Sequence, residues 1–360
     1  MNASSLIFLP NASSSSSSSS FKPIDGQTIE DLQSSLSTLA LPIIYLLVFL
    51  ISTPCNLLCF ILLLTRTKRQ TSTIILAINL SLADLLYSMA LPLQIIYHFS
   101  GNDWPFGSVW CGIATVIFHS CMQCSVLLTC AIAVERYLGV VHPLRSKHLC
   151  TPVRALLLCL LTWALVLVVQ TPYFRHDLTR EVPQLNLSTC FDIIPPGTFG
   201  STRTHIYLYF VSVWVLFYAA PLGVLVACYV CVTRELRRSP QTDGEDYSRR
   251  YALLMCATAA ACFVLCYLPN VLLQAVHLTM RGQHLGSLYP YYKLTHGINS
   301  LNCCVDPFVY YLASREFRNT FRRALRPLHC CRRQCDTDEL STPSEVLSIV
   351  KATAYTTSRM

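Results

Sequence analysis

The sequence predicts an all-α protein: a seven-transmembrane helix bundle followed by a short amphipathic eighth helix. Three observations predict it. Only 13% of the 360 residues are charged, against about 25% in an average soluble protein, and mean hydropathy is +0.45. Seven long apolar segments run over about 38–64, 73–98, 110–141, 153–174, 204–233, 251–280 and 289–313, each approaching or exceeding the ~20 residues that cross a bilayer core. The basic residues collect in alternate connections between them. The net charge of +8 is therefore spread between spans rather than along one soluble surface, which excludes a nucleic-acid partner.

Taken in order, residues 1–37 carry a serine tract and read as a disordered, glycosylated extracellular N-terminus. No cleavable signal peptide is expected, because residues 1–35 lack a basic start, so the first span serves as anchor. The seven-span body covers 38–313. Pro54, Pro92, Pro172, Pro221, Pro269 and Pro307 fall within or near spans, where neighbouring helices re-satisfy freed carbonyls, so each reads as a kink rather than an end. Eighteen Lys and Arg occupy the first, third and fifth connections and the stretch after the seventh span, against six on the other side. That bias sets the N-terminus outside and the C-terminus in the cytoplasm of a multi-pass plasma-membrane protein. Sequons at Asn2, Asn11 and Asn186 fall on the outer side. Most of the nineteen cysteines lie in spans or on the inner side and act as small apolar residues. Cys111 and Cys190 alone sit together in an oxidising place, and one bridge between them would pin the outer loop 175–203 over the bundle.

Beyond the seventh span, 314–326 places Phe317, Phe321 and Leu325 at i, i+4, i+8 with arginines between them, a helix lying on the inner leaflet. The tail 327–360 begins with Cys330, Cys331 and Cys335, palmitoylation candidates that would bind membrane lipid. Its serines and threonines offer phosphosites.

Seven spans alone fit a receptor, a channel, a transporter or a membrane enzyme. There is no His-Glu-x-x-His and no Gly-x-Ser-x-Gly, so no enzyme is expected, and no hydropathy repeat of a transporter is visible. Polar residues inside spans discriminate further, since each is expensive. Asn56, Asp84, Ser125, Asn302 and Asp306 each satisfy one isolated hydrogen bond or form a shared polar cluster. Oxygen-bearing groups on several helices at similar depth favour the cluster, which could hold a small hard cation such as Na⁺. In "AIAVERYLGVVHPLR" a charge-free run, long enough to cross, ends in Glu135-Arg136, either an interfacial anchor or part of a switch.

These residues carry a resemblance to the rhodopsin-like (class A) G-protein-coupled receptors. Asn56 and Asp84 match the family's first-span asparagine and second-span aspartate. "WPFG" precedes Cys111, and Glu135-Arg136-Tyr137 matches D/E-R-Y. Trp163, then Pro221 with Tyr229, occupy the fourth- and fifth-span positions. "FVLCYLP", from Phe263 through Tyr267 to Pro269, matches F-x-x-C-W-x-P. "DPFVY", from Asp306 and Pro307 to Tyr310, matches N-P-x-x-Y. The resemblance implies that Arg136, held by Glu135 at rest, is freed on activation and meets Tyr229. Tyr310 then moves inward and the sixth helix swings out to admit a heterotrimeric G protein. Asp306 for asparagine, Tyr267 for tryptophan and Arg249 for an acid are departures, and the last puts a second ionic lock in doubt.

The outer half sets the ligand. Phe118 stands where aminergic relatives place an aspartate, and Ser300 where opsins place a lysine. Basic groups remain: Arg203, His277, His119, Lys293 and His296, interleaved with tyrosines including Tyr97. Lys293 and His296, at i, i+3, share a helix face. A small anionic extracellular ligand is expected, a lysolipid-like amphiphile or a nucleotide-like compound. "DPFVYYLASREFR" and "TCFD" resemble the purinergic branch that also holds protease-activated and lysolipid receptors. A non-signalling scavenger receptor and a receptor for a peptide or protease-exposed ligand are the alternatives.

Overall fold

The computed structural model describes residues 26–67, 70–193, 203–238, 257–282 and 288–313, with Leu253, Leu254 and Asn319. Asn2, Asn11, Arg249, the segment 314–326 apart from Asn319, and the tail with Cys330, Cys331 and Cys335 lie outside these residues. So do the side chains of Arg203, Phe263, His277 and Tyr310.

Helix α1 (Gly26–Leu32) and a π-type turn (Leu36–Ala40) lead into the first span, α2 (Leu41–Thr65). The second span, α3 (Ser72–Phe99), starts where the Thr71 side chain accepts from the Ile74 amide at 3.4 Å, an N-cap. The third, α4 (Gly107–Val141), has 35 residues and would measure ~52 Å at ~1.5 Å per residue, so it overruns a core of ~30 Å. Of the six helices long and apolar enough to cross, it is the most enclosed, and it forms the axis of the bundle. A short inner helix, α5 (Pro143–Leu149), precedes the fourth span, α6 (Pro152–Val169), whose leucines Leu156, Leu157, Leu160 and Leu161 face outward toward lipid.

The outer connection carries α7 (Thr171–Arg175) and a hairpin of β1 (Thr179–Val182) and β2 (Leu187–Cys190), antiparallel with Thr179 opposite Cys190. The fifth span is α8 (Arg203–Trp214), a π-type turn (Val215–Ala219) and α9 (Ala220–Arg238). In the sixth, 257–262 passes through the π-type turn Phe263–Tyr267 into α10 (Leu268–Gly282). The seventh divides into α11 (Tyr289–Asn299) and α12 (Asn302–Ala313). At this break the Leu301 amide donates to the Ile298 carbonyl and the Cys303 amide to that of Ser300, at 3.1 and 3.3 Å. These i to i−3 bonds tighten the chain where the polar segment "NSLN" enters the core, so each half is too short to cross alone. A Cβ on Gly297 would come within 2.7 Å of Leu41, so glycine there lets the first and seventh spans close.

Two expectations need correction. The N-terminal segment is not disordered through residue 37. Leu32 is buried with Val182 and Ile193, and Asn102, itself fully buried, donates from Nδ2 to the Leu32 carbonyl at 2.6 Å. Residues from 26 onward therefore belong to the folded body. Nor is Pro172 a kink in a span reaching 174: α6 ends at Val169, and Pro172 lies in the first turn of α7. Proline cannot donate to the carbonyl four residues back, and that carbonyl, of Val168, instead accepts from Thr171 Oγ1 at 2.6 Å. Pro54, Pro92 and Pro307 do lie inside continuous helices.

Candidate functional site

The outer site is built from the hairpin downward. Cys111, at the top of the third span, is disulfide-bonded to Cys190 at the end of β2, 79 residues on. The exposed Asn186 takes the left-handed backbone (φ 50°) at the hairpin tip. Phe191, directly after the bridge, is also left-handed (φ 65°), an uncommon state for a bulky residue. That turn sends the next side chain, Asp192, into the bundle, where it is fully buried.

Asp192 is the centre of this region, and sequence reasoning missed it. The Tyr97 hydroxyl donates to its Oδ2 at 2.6 Å, Tyr289 hydrogen-bonds it, and Lys293 Nζ pairs with Oδ1. Burial would raise the carboxyl's pKa. The Lys293 ammonium, then His98, then hydrogen bonds from Lys293 and Tyr289 outweigh that and hold it below its ordinary value. The signal lay in "TCFD": a carboxylate two residues past a bridged cysteine is held at the depth of the bridge.

Below the pair lies a narrow cavity of about 60 Å³, lined by Tyr45, Gln94, Thr115, Phe118, His119, Cys190, Phe191, Phe210, Tyr289, Tyr292, Lys293 and His296. The structure thus brings Lys293, His296 and His119 together. Asp192 neutralises Lys293. One expectation changes. Tyr97 does not line the cavity; it stands behind it, bonded to Asp192. His119 Nδ1 lies 2.8 Å from the Thr115 carbonyl, which can only accept, so Nδ1 carries a proton. His296 Nε2 meets the Tyr292 hydroxyl at 2.8 Å, and the two imidazole centroids are 6.1 Å apart.

One layer deeper, Ser125 donates to Asp306 Oδ2 at 3.0 Å, and Asn302 Nδ2 donates to Ser125 Oγ at 3.1 Å. Tyr267 is hydrogen-bonded to Ser125. Asp84 is hydrogen-bonded to both Asp306 and Cys303, and Asn56 Nδ2 donates to the Cys303 carbonyl at 2.8 Å. The five polar residues singled out in the sequence thus surround one place, with Tyr267 added. At the inner end Arg136 and Glu135 are 3.6 Å apart. Thr73, a further residue the sequence reading missed, donates to Glu135 Oε1 at 2.9 Å and also bonds Arg136. The Tyr137 hydroxyl is 3.2 Å from His142 Nε2, and Tyr229 is half-buried on the fifth span.

The chain matches the profile of the 7 transmembrane receptor (rhodopsin family) over residues 55–310. It is 36% identical over 330 residues to the human (Homo sapiens) S-geranylgeranyl-glutathione receptor, covering 92% of this chain and 90% of that one. It is 34% identical over 304 residues to purinoceptor 8 of Gallus gallus (84% and 85% covered). Proteinase-activated receptor 1 of Xenopus laevis is 32% identical over 321 residues (88% and 74% covered). With seven spans and the polar, aromatic and ionic layers in register, the chain belongs to the rhodopsin family of seven-transmembrane receptors, in its purinergic branch, and signals through G proteins in response to an extracellular ligand.

Proposed function

We propose that the ligand is a small amphiphile with a charged, carboxylate- or phosphate-bearing head and an apolar tail, and that its head competes with Asp192 for Lys293. The observation that carries this reading is the Lys293–Asp192 pair at the lip of a cavity whose deeper lining is aromatic and imidazole. Such a lining matches one charged end and one apolar end. Ligand pockets usually run to about 300–1,000 Å³, so this one has to open, and parting the pair would let Phe191 and the hairpin lift. The human relative is by its name a receptor for a geranylgeranyl chain joined to glutathione, a compound of this polarity.

On the same reading Tyr267, deeper in the bundle than the cavity, passes the change to the Ser125–Asp306 layer, and Arg136 leaves Glu135 for Tyr229 as the G protein docks. A Na⁺ ion fits the donor set of that layer: two carboxylates, Asp84 and Asp306, with the Ser125 hydroxyl. Asn56 and Asn302 would brace it, and the ion would supply charge balance there. Arg203 and His277 would add to the mouth, receptor kinase and arrestin would act on the tail, and the N-terminus would face outside. No catalytic role is assigned to any residue.

G-protein dissociation sensors, run at matched surface expression with S-geranylgeranyl-glutathione, lysophosphatidate and ATP, test the proposal. An amphiphile should activate, and Lys293→Ala should weaken it by ~1–3 kcal/mol, the range for one charge-assisted hydrogen bond. Arg281→Ala, in the last turn of α10, should change little. Activation by ATP alone, or an unmoved Lys293→Ala curve, would reject it. The proteinase-activated relatives and the docking of α1 on the hairpin favour a peptide ligand as the second reading.

A further inference from the structure

Two histidines from different helices line the narrow cavity of about 60 Å³: His119 on α4, the third span, and His296 on α11, in the seventh. Their ring centroids are 6.1 Å apart, with the ring planes at 71° to one another. Two imidazoles on one zinc ion, each with a Zn–N bond of ~2.0–2.1 Å, put their centroids roughly 5–6.5 Å apart, according to the angle at the metal. The observed spacing lies inside that range. The volume agrees. A water takes about 30 Å³ in the liquid, so this space admits an ion with a water or two and not a ligand head with its tail.

Each ring has one nitrogen held and one left over. His119 Nδ1 donates to the Thr115 carbonyl at 2.8 Å, so in the neutral ring Nε2 carries the lone pair. His296 Nε2 lies 2.8 Å from the Tyr292 hydroxyl, and its Nδ1 is buried with no hydrogen-bond partner among the described residues. A buried polar atom without a partner calls for one, and an ion or a water is the usual answer. Holding one imidazole nitrogen on a carbonyl or hydroxyl fixes the tautomer and leaves the other as a ligand, the arrangement found around metal-bound histidines. Lys293, the cation that lines the same cavity, is balanced by Asp192, so its field does not exclude a second positive charge. Among the described residues no group of three or more His, Cys, Asp or Glu is placed to hold a metal. The two histidines would therefore leave positions on an ion open to water.

We propose that His119 Nε2 and His296 Nδ1 form a site for a divalent transition-metal ion of the Zn²⁺ type, tying the third span to the seventh across the outer cavity. Imidazole nitrogen suits Zn²⁺ and Cu²⁺, whereas the hard ions Ca²⁺ and Mg²⁺ take oxygen. Two protein ligands make the site weak and reversible, so its occupancy follows the free ion. The site does not rest on the ligand reading above, but its consequence does. An ion joining the two spans would keep the cavity at its closed size and oppose an agonist that has to open it.

The test is thermal melting of the full-length receptor, purified without a histidine tag, first with a chelator and then with rising zinc chloride. Zn²⁺ should raise the melting temperature saturably, since an ion that binds only the fold stabilises it by mass action. Calcium and magnesium chloride at the same concentrations should not. His119→Ala and His296→Ala should each weaken the zinc midpoint by about tenfold or more, and the double variant should be little worse than either single. His296→Cys, which keeps a zinc donor, should restore most of the response. Where an alanine variant fails to express, glutamine, which keeps the bulk and is a poor zinc ligand, takes its place. Tyr292→Phe should cost about tenfold, the range for losing a partner that orients a ligand. His176→Ala, at an exposed histidine outside this cavity, should change nothing. In G-protein sensors zinc should lower the response of the wild type to S-geranylgeranyl-glutathione and leave that of His296→Ala as it was. A melt shift with an unmoved sensor curve would uphold the ion site and count against the opening of the cavity. No melt shift at millimolar Zn²⁺, an equal shift with Ca²⁺, or a zinc midpoint indifferent to both histidine variants would overturn the proposal.

Discussion

Among the described residues the two ends of this bundle each hold one ion pair, and the pairs are built oppositely. At the outer end Asp192 is fully buried, and Lys293, Tyr97 and Tyr289 all serve it. At the inner end Arg136 and Glu135 stand 3.6 Å apart with side chains 26% and 11% exposed, and Thr73 serves both. A buried pair is costly to break from one side, because the remaining charge is stranded. A partly solvated pair at long range is worth about 0–1 kcal/mol and separates readily. The outer pair is suited to hold a shape until something of matching charge replaces it, and the inner pair to let go.

The largest effect should come from Arg136→Ala. The variant should reach the surface and bind ligand, yet lose G-protein activation, since the residue lies at the end of the bundle opposite the Lys293 cavity. Dissociation-sensor traces at matched expression decide it, and normal signalling would erase the distinction between the two pairs.

Next comes stability at the outer end. Asp192→Ala should destabilise by about 3–5 kcal/mol, leaving Lys293, its side chain only 16% exposed, without a counter-charge. The double variant Asp192→Ala with Lys293→Ala should recover part of that loss. Glu135→Gln should lower the melting temperature far less while raising basal signalling. Thermal melts of detergent-purified receptor sharpen the comparison, and equal losses from Asp192→Ala and Glu135→Gln would break it.

The disulfide supports the outer pair and should show it. Cys111→Ser and Cys190→Ser should each cost about 4.5 kcal/mol, the chain-entropy figure for a loop of this length. The double variant should be no worse than either single, and additive losses in surface expression would mean that the two cysteines act independently.

Acidity probes the same end more gently. The Asp192 carboxyl is held below its ordinary value of 3.8 in the fold, so between the two values the unfolded chain binds more protons. Its contribution is therefore complete above the ordinary value and is lost as pH falls through the depressed one. Melts from pH 7 down to pH 5 should be insensitive to this group. Below about pH 4 the wild type should lose stability relative to Asp192→Asn, and a parallel decline in both would remove the assignment.

How much of this is legible in the sequence depends on the kind of signal. The spans, the bridge between Cys111 and Cys190 and the inward-facing cluster around Asp306 are readable, because hydropathy and expensive polar residues mark them directly. Asp192 and Thr73 are harder: the bridged cysteine marks the depth of Asp192 but not its partners, and a helix-start threonine resembles many solvated ones until the fold supplies them. Pro172 misleads because a proline in a span is usually carried by its neighbours. Here a threonine side chain takes over the orphan carbonyl and the helix ends. The N-terminal boundary is hard to place because polar composition hides Leu32, whose burial depends on a hairpin distant in sequence.

The smallest expected effect tests the layer between the two pairs. The Ser125 hydroxyl has one proton, which it gives to Asp306, and two lone pairs, one of which accepts from Asn302. Tyr267 therefore takes the remaining position as donor, a bond that the tryptophan usual in this family would have to make from a different place. Tyr267→Phe removes that hydroxyl and nothing else, so it should cost about 0.5–1.5 kcal/mol, the net worth of one hydrogen bond. In melts this is a small shift. In sensor assays it should raise basal activity up to about tenfold, because the tie it breaks joins the sixth helix to the third while Arg136 is still on Glu135. Ser125→Ala should do as much or more, and the double variant should add little to Ser125→Ala, since both remove one shared contact. If Tyr267→Phe alters ligand potency at the outer cavity but leaves basal activity where it was, the tyrosine serves the outer pair alone, and the two ends communicate by another route.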